Sequence, residues 1–472
     1  MFRTTNATEL HDLFAAQKRA SRDCPYPTLA ERLDALRALR ETVRFVRAEL
    51  AGALAADFGH HDPSIGLLWE LGGVIARIGD AAAHLEEWMR ASPRAVDPSL
   101  GDSTAEVRYQ PKGVVGNMVP WNFPVDISLG PLVDILAAGN RAIVKPSELA
   151  PNCAELVRRA VEHHFDPALV AVVTGDVDLA ERFASLPWDH LLYTGSPAIA
   201  KRVLASAAEH LTPVTLELGG KCPVIVLSDR VNEDTFAEIL SVKTVKGGQM
   251  CIAPDYMLVP EADLERAVSL LSSLGETMLA PGAGGSPVTG MIHDRHYDRL
   301  VRIVSEARMR GARVVELGKD TADRARRHLP MTLIVDPDDD LLVMKEEIFG
   351  PVLPIKPYRS LEQAVRYVND RDRPLALYVF TDDAAAATRV LAETASGGAS
   401  VNAIATQAAV PSLPFGGIGR SGMGCHHGRE GFLTFSHARA VFRRGTENAW
   451  ALMRPPYGDA LAAVAAFVVD GQ

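Results

Sequence analysis

Residues 113–145 read GVVGNMVPWNFPVDISLGPLVDILAAGNRAIVK. Val114 to Val119 is a short apolar run that ends at a proline-flanked aromatic segment, the signature of a buried strand. A helical pattern follows near Ser128 to Ala138, and Ala142 to Lys145 predicts a second strand. Two buried strands joined by a helix have the form of the crossover that a parallel pair requires. The same rhythm continues downstream. A helix is predicted over Asn152 to His164, then strands at Val170 to Val173 and His190 to Tyr193, a helix over Ala198 to His210, and a strand at Val214 to Leu216. Alternation of this kind specifies a doubly wound, mostly parallel sheet that binds ligands beyond the carboxyl ends of its strands.

Beyond Gly220 a second series begins at Pro223 to Leu227. It continues with strands at Met257 to Val259, Arg313 to Val315, Leu333 to Val335, Leu377 to Phe380 and Ala399 to Val401. A glycine-rich stretch covers Pro411 to Gly424, and the last predicted strand is Ala440 to Arg443. Upstream of residue 113 the pattern is helical. Thr28-Leu-Ala-Glu31 has the form of a capping box ahead of an amphipathic helix, and a second helix is predicted over Ser64 to Met89. Pro93 and Pro98 break that pattern before a short strand at Glu106 to Gln110. The expected fold is α/β, with two α/β domains.

The 472 residues suit two or three domains. A formal net charge of −10 with no basic block argues against nucleic-acid binding. Five cysteines, an odd number with no Cys-x-x-Cys pair, fit a reducing compartment and a cytoplasmic location. The pairs His60/His61, His163/His164 and His426/His427 lack the spacing of a helical metal site and read as ordinary surface or core histidines. The N-terminus lacks a signal-peptide core, and no apolar run reaches the roughly 18 residues of a membrane span. The alanine-rich run Ala460 to Val469 is expected to pack on the protein body or on a sister subunit, in preference to a membrane interface.

Several strand ends carry side chains with chemistry. Gly247-Gly248-Gln249-Met250-Cys251 puts a thiol after two glycines, where its oxyanion can be caught by its own backbone N–H. As a lone cysteine it reads equally as a small buried hydrophobe. Glu217 ends a strand and precedes Leu218-Gly219-Gly220, a place for a general base or for a turn acid paired with Lys221. Asn122, between Pro120 and Pro124, offers an always-protonated amide to an oxyanion, or else stands in a rigid aromatic turn. Lys145 and Glu148 suit ribose hydroxyls, with Glu148 repelling a 2′-phosphate. Gly195 and Ser196 open a helix where a pyrophosphate can sit, although no G-x-G-x-x-G is present.

Taken in order, PWNFP (120–124), KPSE (145–148), YTGS (193–196), LELGGK (216–221), GGQMCIAPDY (247–256), EEIFGP (346–351) and PFGGIGRSGMG (414–424) closely resemble the aldehyde dehydrogenase superfamily. The segment SGMGCHHGREGFLTFSH (421–437) is similar to its class-three and coniferyl aldehyde dehydrogenase branch. The resemblance implies a Rossmann-like NAD(P)-binding domain at 1–93 and 113–217, a catalytic domain at 218–402, and a bridging, oligomerising sheet from 94–112 and 403–472. It implies Cys251 as nucleophile, Glu217 as general base and Asn122 as oxyanion donor. Trp121, Lys145, Glu148, Gly195, Ser196, Leu218, Glu347 and Phe349 are implied as cofactor contacts, with no metal. NAD is the expected cofactor with NADP possible, an aromatic or medium-chain aliphatic aldehyde the substrate, and a homodimer the expected assembly, with a tetramer as the alternative. One residue departs from the family pattern. Lys246 stands where many relatives carry Asn, and a lysine there either lowers the Cys251 thiol's pKa or faces solvent.

Overall fold

The computed structural model describes residues 3–280 and 288–470. A six-stranded sheet runs in the order Gly422–Met423, Val214–Glu217, His190–Thr194, Val114–Met118, Arg141–Lys145, Val170–Val172, all parallel except the first. The chain enters at Val114–Met118, moves outward through Arg141–Lys145 and Val170–Val172, then returns to the other side at His190–Thr194. The switch of direction lies between the 114–118 and 190–194 strands, where an open sheet leaves a crevice at its carboxyl edge. The loops leaving that edge are 119–125 and 195–196, so topology alone brings Asn122 and Ser196 toward one crevice.

The second sheet has seven strands, ordered Arg313–Glu316, Thr332–Val335, Val352–Tyr358, Tyr256–Pro260, Pro223–Val226, Ala376–Phe380, Gly398–Val401. Val352–Tyr358 has no counterpart in the sequence reading, yet it lies near the centre. Its sequence VLPIKPY carries two prolines, which ordinarily argue against a central strand. In a parallel ladder each proline removes a single donor, and burial of Val352, Leu353 and Ile355 outweighs that loss. A three-stranded antiparallel sheet joins Ser92–Arg94, Thr104–Pro111 and Ser436–Arg443, with Ser436 opposite Pro111 and Arg443 opposite Thr104.

The N-terminal helices pack over the first sheet. Leu29–Val46 starts at the expected capping box, in which the Glu31 N–H donates to Thr28 Oγ1 and the Thr28 N–H to the Glu31 carboxylate. The single helix expected at 64–89 is interrupted. Pro63–Leu67 and Gly73–Trp88 are joined by one π turn at Leu68–Gly72, a distortion that often re-aims a side chain at a functional site. The tail helix Asp459–Asp470 does not pack on the body: none of its residues is buried, and Phe467, Val468 and Val469 face solvent. No helix among the described residues is long and apolar enough to cross a membrane.

Candidate active site

Cys251 follows a turn that glycine alone permits. Lys246, Gly247 and Gly248 are three consecutive residues with φ of 52°, 61° and 73°. A Cβ on Gly247 would collide with the Thr289 carbonyl oxygen, and one on Gly248 with that of Gly350. Gln249 locks the turn from inside. Its Nε2 donates to the carbonyl oxygens of Lys246 (2.7 Å) and Gly290 (3.0 Å), and its Oε1 accepts from the Ile292 N–H (3.0 Å). The Cys251 thiol is pushed up to about 12, by burial first and then by Glu347 and Glu217. The backbone N–H groups of Cys251 and Ile252 act in the opposite sense. Those same N–H groups are suited to an oxyanion formed beside the sulfur.

Lys246 does neither of the things expected of it. It is 0% exposed, so it does not face solvent, and it is not among the groups that set the shift of the Cys251 thiol. Its Nζ lies 2.6 Å from Glu70 Oε1, with the rings of Phe58 and Phe123 at 4.5 and 5.1 Å. Glu70, on the π turn, accepts two further bonds at Oε2, from the N–H groups of Val125 and Asp126, both 2.9 Å. One buried ion pair thereby ties the cysteine turn to the segment that follows Asn122.

Glu217 ends the strand paired with His190–Thr194, opposite Thr194. It is 2% exposed, neither carboxylate oxygen has a hydrogen-bond partner among the described residues, and burial raises its pKa well above the carboxylate range. The pairing with Lys221 that would make it a mere turn acid is absent. Lys221 instead pairs with Asp255 and donates to the carbonyl oxygens of Val343 (2.8 Å) and Glu346 (3.0 Å). Glu217, Leu218, Thr194, Cys251 and Phe123 share the wall of one mostly apolar cavity of about 370 Å³. Asn122 is buried beside Phe123 but is not a wall residue, and its amide is uncommitted among the described residues.

The expected cofactor contacts fall in separate places. Lys145 Nζ lies 2.9 Å from Glu148 Oε2, and Glu148 lines a second cavity of about 210 Å³ with Arg3, Ser147, Thr174 and Asp176. Ser196 caps the helix Pro197–Ala208 without using its side chain on the helix, which leaves the hydroxyl and the helix N-terminus for an anion. Gly195 donates its N–H to the Glu217 carbonyl oxygen (3.0 Å). Trp121 meets Phe349 edge-on at 5.3 Å, and Phe349 holds a φ of 52°. Glu347 accepts from the Gly220 N–H (3.2 Å); its pKa is raised to about 8 by burial and by Asp255, against Gly220, Lys221 and Arg299. These residues fit a dinucleotide: a carboxylate for ribose, a helix N-terminus for pyrophosphate, and an aromatic and acidic cluster beside the cysteine turn.

Sequence reading missed Glu70, Arg77 and Asp126. The first two do leave a trace, since Glu70, Val74, Arg77, Ile78 and Ala81 share one helical face on which every other residue is apolar. The 403–472 segment also does more than bridge, because Phe415, His426 and His427 line the cavity that holds Cys251.

Comparison with known proteins agrees with this geometry. Residues 2–441 match the family model described as the aldehyde dehydrogenase family. A probable coniferyl aldehyde dehydrogenase from Caulobacter vibrioides is 41% identical over 461 residues, 96% of this chain and 95% of that one. A dimeric, NADP-preferring aldehyde dehydrogenase from Canis lupus familiaris is 37% identical, covering 88% of this chain and 90% of its own. Among solved structures, a substrate-bound Staphylococcus aureus AldH superimposes with a TM-score of 0.90 at 32% identity, over 97% of this chain and 99% of that one.

Proposed function

The chain belongs to the aldehyde dehydrogenase family of NAD(P)-dependent oxidoreductases, and from that premise we propose that it oxidises aromatic, coniferyl-type or medium-chain aliphatic aldehydes to carboxylic acids through a thioester on Cys251. The observation that carries this reading is a buried carboxylate, Glu217, without a hydrogen-bond partner among the described residues and on the same cavity wall as the cysteine.

Cys251 attacks as the thiolate, its proton passed to water, forming a C–S bond to the aldehyde carbon while the carbonyl electrons move to oxygen. The Cys251 backbone N–H and the Asn122 amide hold that oxygen; one such donor lowers the barrier by about 2.7–4 kcal/mol. Bound NAD(P) supplies the hydride acceptor. The carbonyl re-forms as a thioester, and Glu217 takes a proton from water as it attacks. The C–S bond then breaks and the acid leaves. Glu148 and Lys145 would hold the adenosine ribose, Gly195 and Ser196 the pyrophosphate, and Trp121, Leu218, Glu347 and Phe349 the nicotinamide half. On this reading residues 1–93 and 113–217 bind the nucleotide, 218–402 carry the nucleophile, and 94–112 with 403–472 bridge.

We also propose a cytoplasmic homodimer. The Ser436–Arg443 strand has one free edge in its sheet, and an open edge needs cover. A second subunit would supply it and also offers cover to the exposed tail helix. A concentration-independent monomer mass in solution would overturn this.

The chemical step is tested by acid quenching. Glu217→Gln mixed with cinnamaldehyde and NAD should yield a chain heavier by the acyl group, with the adduct on the peptide containing Cys251. An adduct on another cysteine, or none, overturns the assignment.

A further inference from the structure

The cavity that holds Cys251 and Glu217 is apolar along most of its wall, through Leu68, Trp69, Phe123, Ile127 and Phe415. Its polar wall residues include Arg77, Thr194, Glu217, His426 and His427 and, away from the strand that carries Glu217, Asp126. That carboxylate is 22% exposed although the residue opens a helix whose next turns are buried. Its Oδ1 is engaged by Arg77 Nη2, while Oδ2 has no partner among the described residues. Arg77 is itself held from the other side, since Nη1 meets His427 Nε2, and the His427 backbone N–H donates to Asp134 Oδ2 at 2.9 Å. Two glycines make room for this arrangement. A Cβ on Gly130 would collide with the Arg77 guanidinium, and Gly73, on the cavity wall, lies against the Asp126–Arg77 pair. A fixed carboxylate with one oxygen spoken for and the other facing an apolar cavity is a hydrogen-bond acceptor waiting for a donor.

We propose that Asp126, oriented by Arg77, is a specificity-determining residue that accepts a hydrogen bond from a hydroxyl group on the aldehyde substrate. The inference rests on the dehydrogenase reading and names, within it, the residue that would read a hydroxyl on the substrate's ring. A methoxyl group of similar size offers no proton and places its oxygen lone pairs against the carboxylate. A carboxylated aldehyde brings a second negative charge to a site whose single cation is already paired. Both are therefore disfavoured, whereas an unsubstituted ring leaves Oδ2 stripped of water without a partner.

The test compares kcat/KM of the purified enzyme for cinnamaldehyde and for its 3- and 4-hydroxy, 3- and 4-methoxy and 4-carboxy derivatives. At least one hydroxy isomer should exceed its methoxy counterpart by about tenfold, the span of one net hydrogen bond. Asp126→Asn, whose amide would keep its oxygen on Arg77 and turn its NH₂ to the cavity, should collapse or reverse that ratio. Because the quantity read is a ratio on one enzyme preparation, general damage does not move it. If the variant fails to fold, the wild-type ratio alone decides. Oxidation of cinnamaldehyde without discrimination between hydroxyl and methoxyl overturns this inference and leaves the dehydrogenase reading intact. Inactivity of the wild type toward every aldehyde overturns both.

Discussion

Two buried carboxylates border the chemistry of this protein, and their surroundings are opposites. Glu70 has no exposure and is saturated, with Lys246 on one oxygen and two backbone N–H groups on the other. Glu217 is almost as deeply buried and has no hydrogen-bond partner among the described residues. A carboxylate whose oxygens are both taken, by a cation and by two N–H donors, serves as a tie. A carboxylate stripped of water and of partners is poised to gain or lose a proton, which is what a general base requires. Burial alone therefore does not mark a functional acid; burial without compensation does.

The comparison breaks at once if the cavity is not the reaction chamber. Cys251→Ala should lower aldehyde oxidation far more than about a hundredfold, because loss of a covalent nucleophile costs well beyond ~2.7 kcal/mol. Cofactor binding, followed by NADH fluorescence, should persist. More than a hundredth or so of wild-type kcat in the variant would mean that Glu217 is poised for some other task.

Glu217→Gln tests the unsatisfied member of the pair. Steady-state turnover should fall about 10²- to 10⁴-fold, the usual weight of a general base. A stopped-flow burst of NADH should remain, since hydride leaves before water attacks. The pH dependence has a definite sign. Burial raises the Glu217 pKa, so lowering the pH protonates it and slows the wild-type steady state while sparing the burst. The variant should lose that acid limb. Disappearance of the burst would reassign Glu217 to removing the Cys251 proton, a task made plausible by a thiol pushed up to about 12.

Lys246→Met tests the satisfied member. It removes one partner of a buried ion pair and leaves Glu70 with only its two N–H donors, and should destabilise the fold by about 3–5 kcal/mol in urea titration. Adding Glu70→Gln should restore much of that loss. If the single variant is as stable as wild type, the pair is not the tie between the cysteine turn and the 122–126 segment.

Much of this was legible in the sequence and some was not, for physical reasons. Strand ends were readable at Asn122, Glu148 and Glu217, because a β-rich run closed by Pro or Gly fixes where a side chain leaves the sheet. Lys246 was visible as an oddity, but its partner lies 176 residues away on a π turn that no local pattern announces. The Val352–Tyr358 strand was hidden by its prolines, which tertiary burial overrides. Asp126 falls just ahead of the helix expected near Ser128, and its pairing with Arg77, on a helix some fifty residues upstream, leaves no local trace.

The smallest expected effect belongs to a third carboxylate, intermediate between the other two. Glu148 is paired with Lys145 at 2.9 Å, yet 38% exposed, so it is neither saturated like Glu70 nor stripped like Glu217. A 2′-phosphate on the cofactor would bring negative charge close to it, while Lys145 and the nearby Arg3 would attract that charge. In a setting this open, one charge pair at about 4 Å is worth about 1 kcal/mol. We therefore expect NAD to be preferred with measurable NADP activity, even though the Canis lupus familiaris relative is NADP-preferring. Glu148→Gln should move the ratio of kcat/KM for NADP over NAD upward by about fivefold, the equivalent of that energy. Raising the salt concentration should shrink the difference, as it would not for either buried carboxylate. A wild type that prefers NADP, or a ratio that does not move, would show that discrimination lies with Arg3 and Lys145 and not with Glu148.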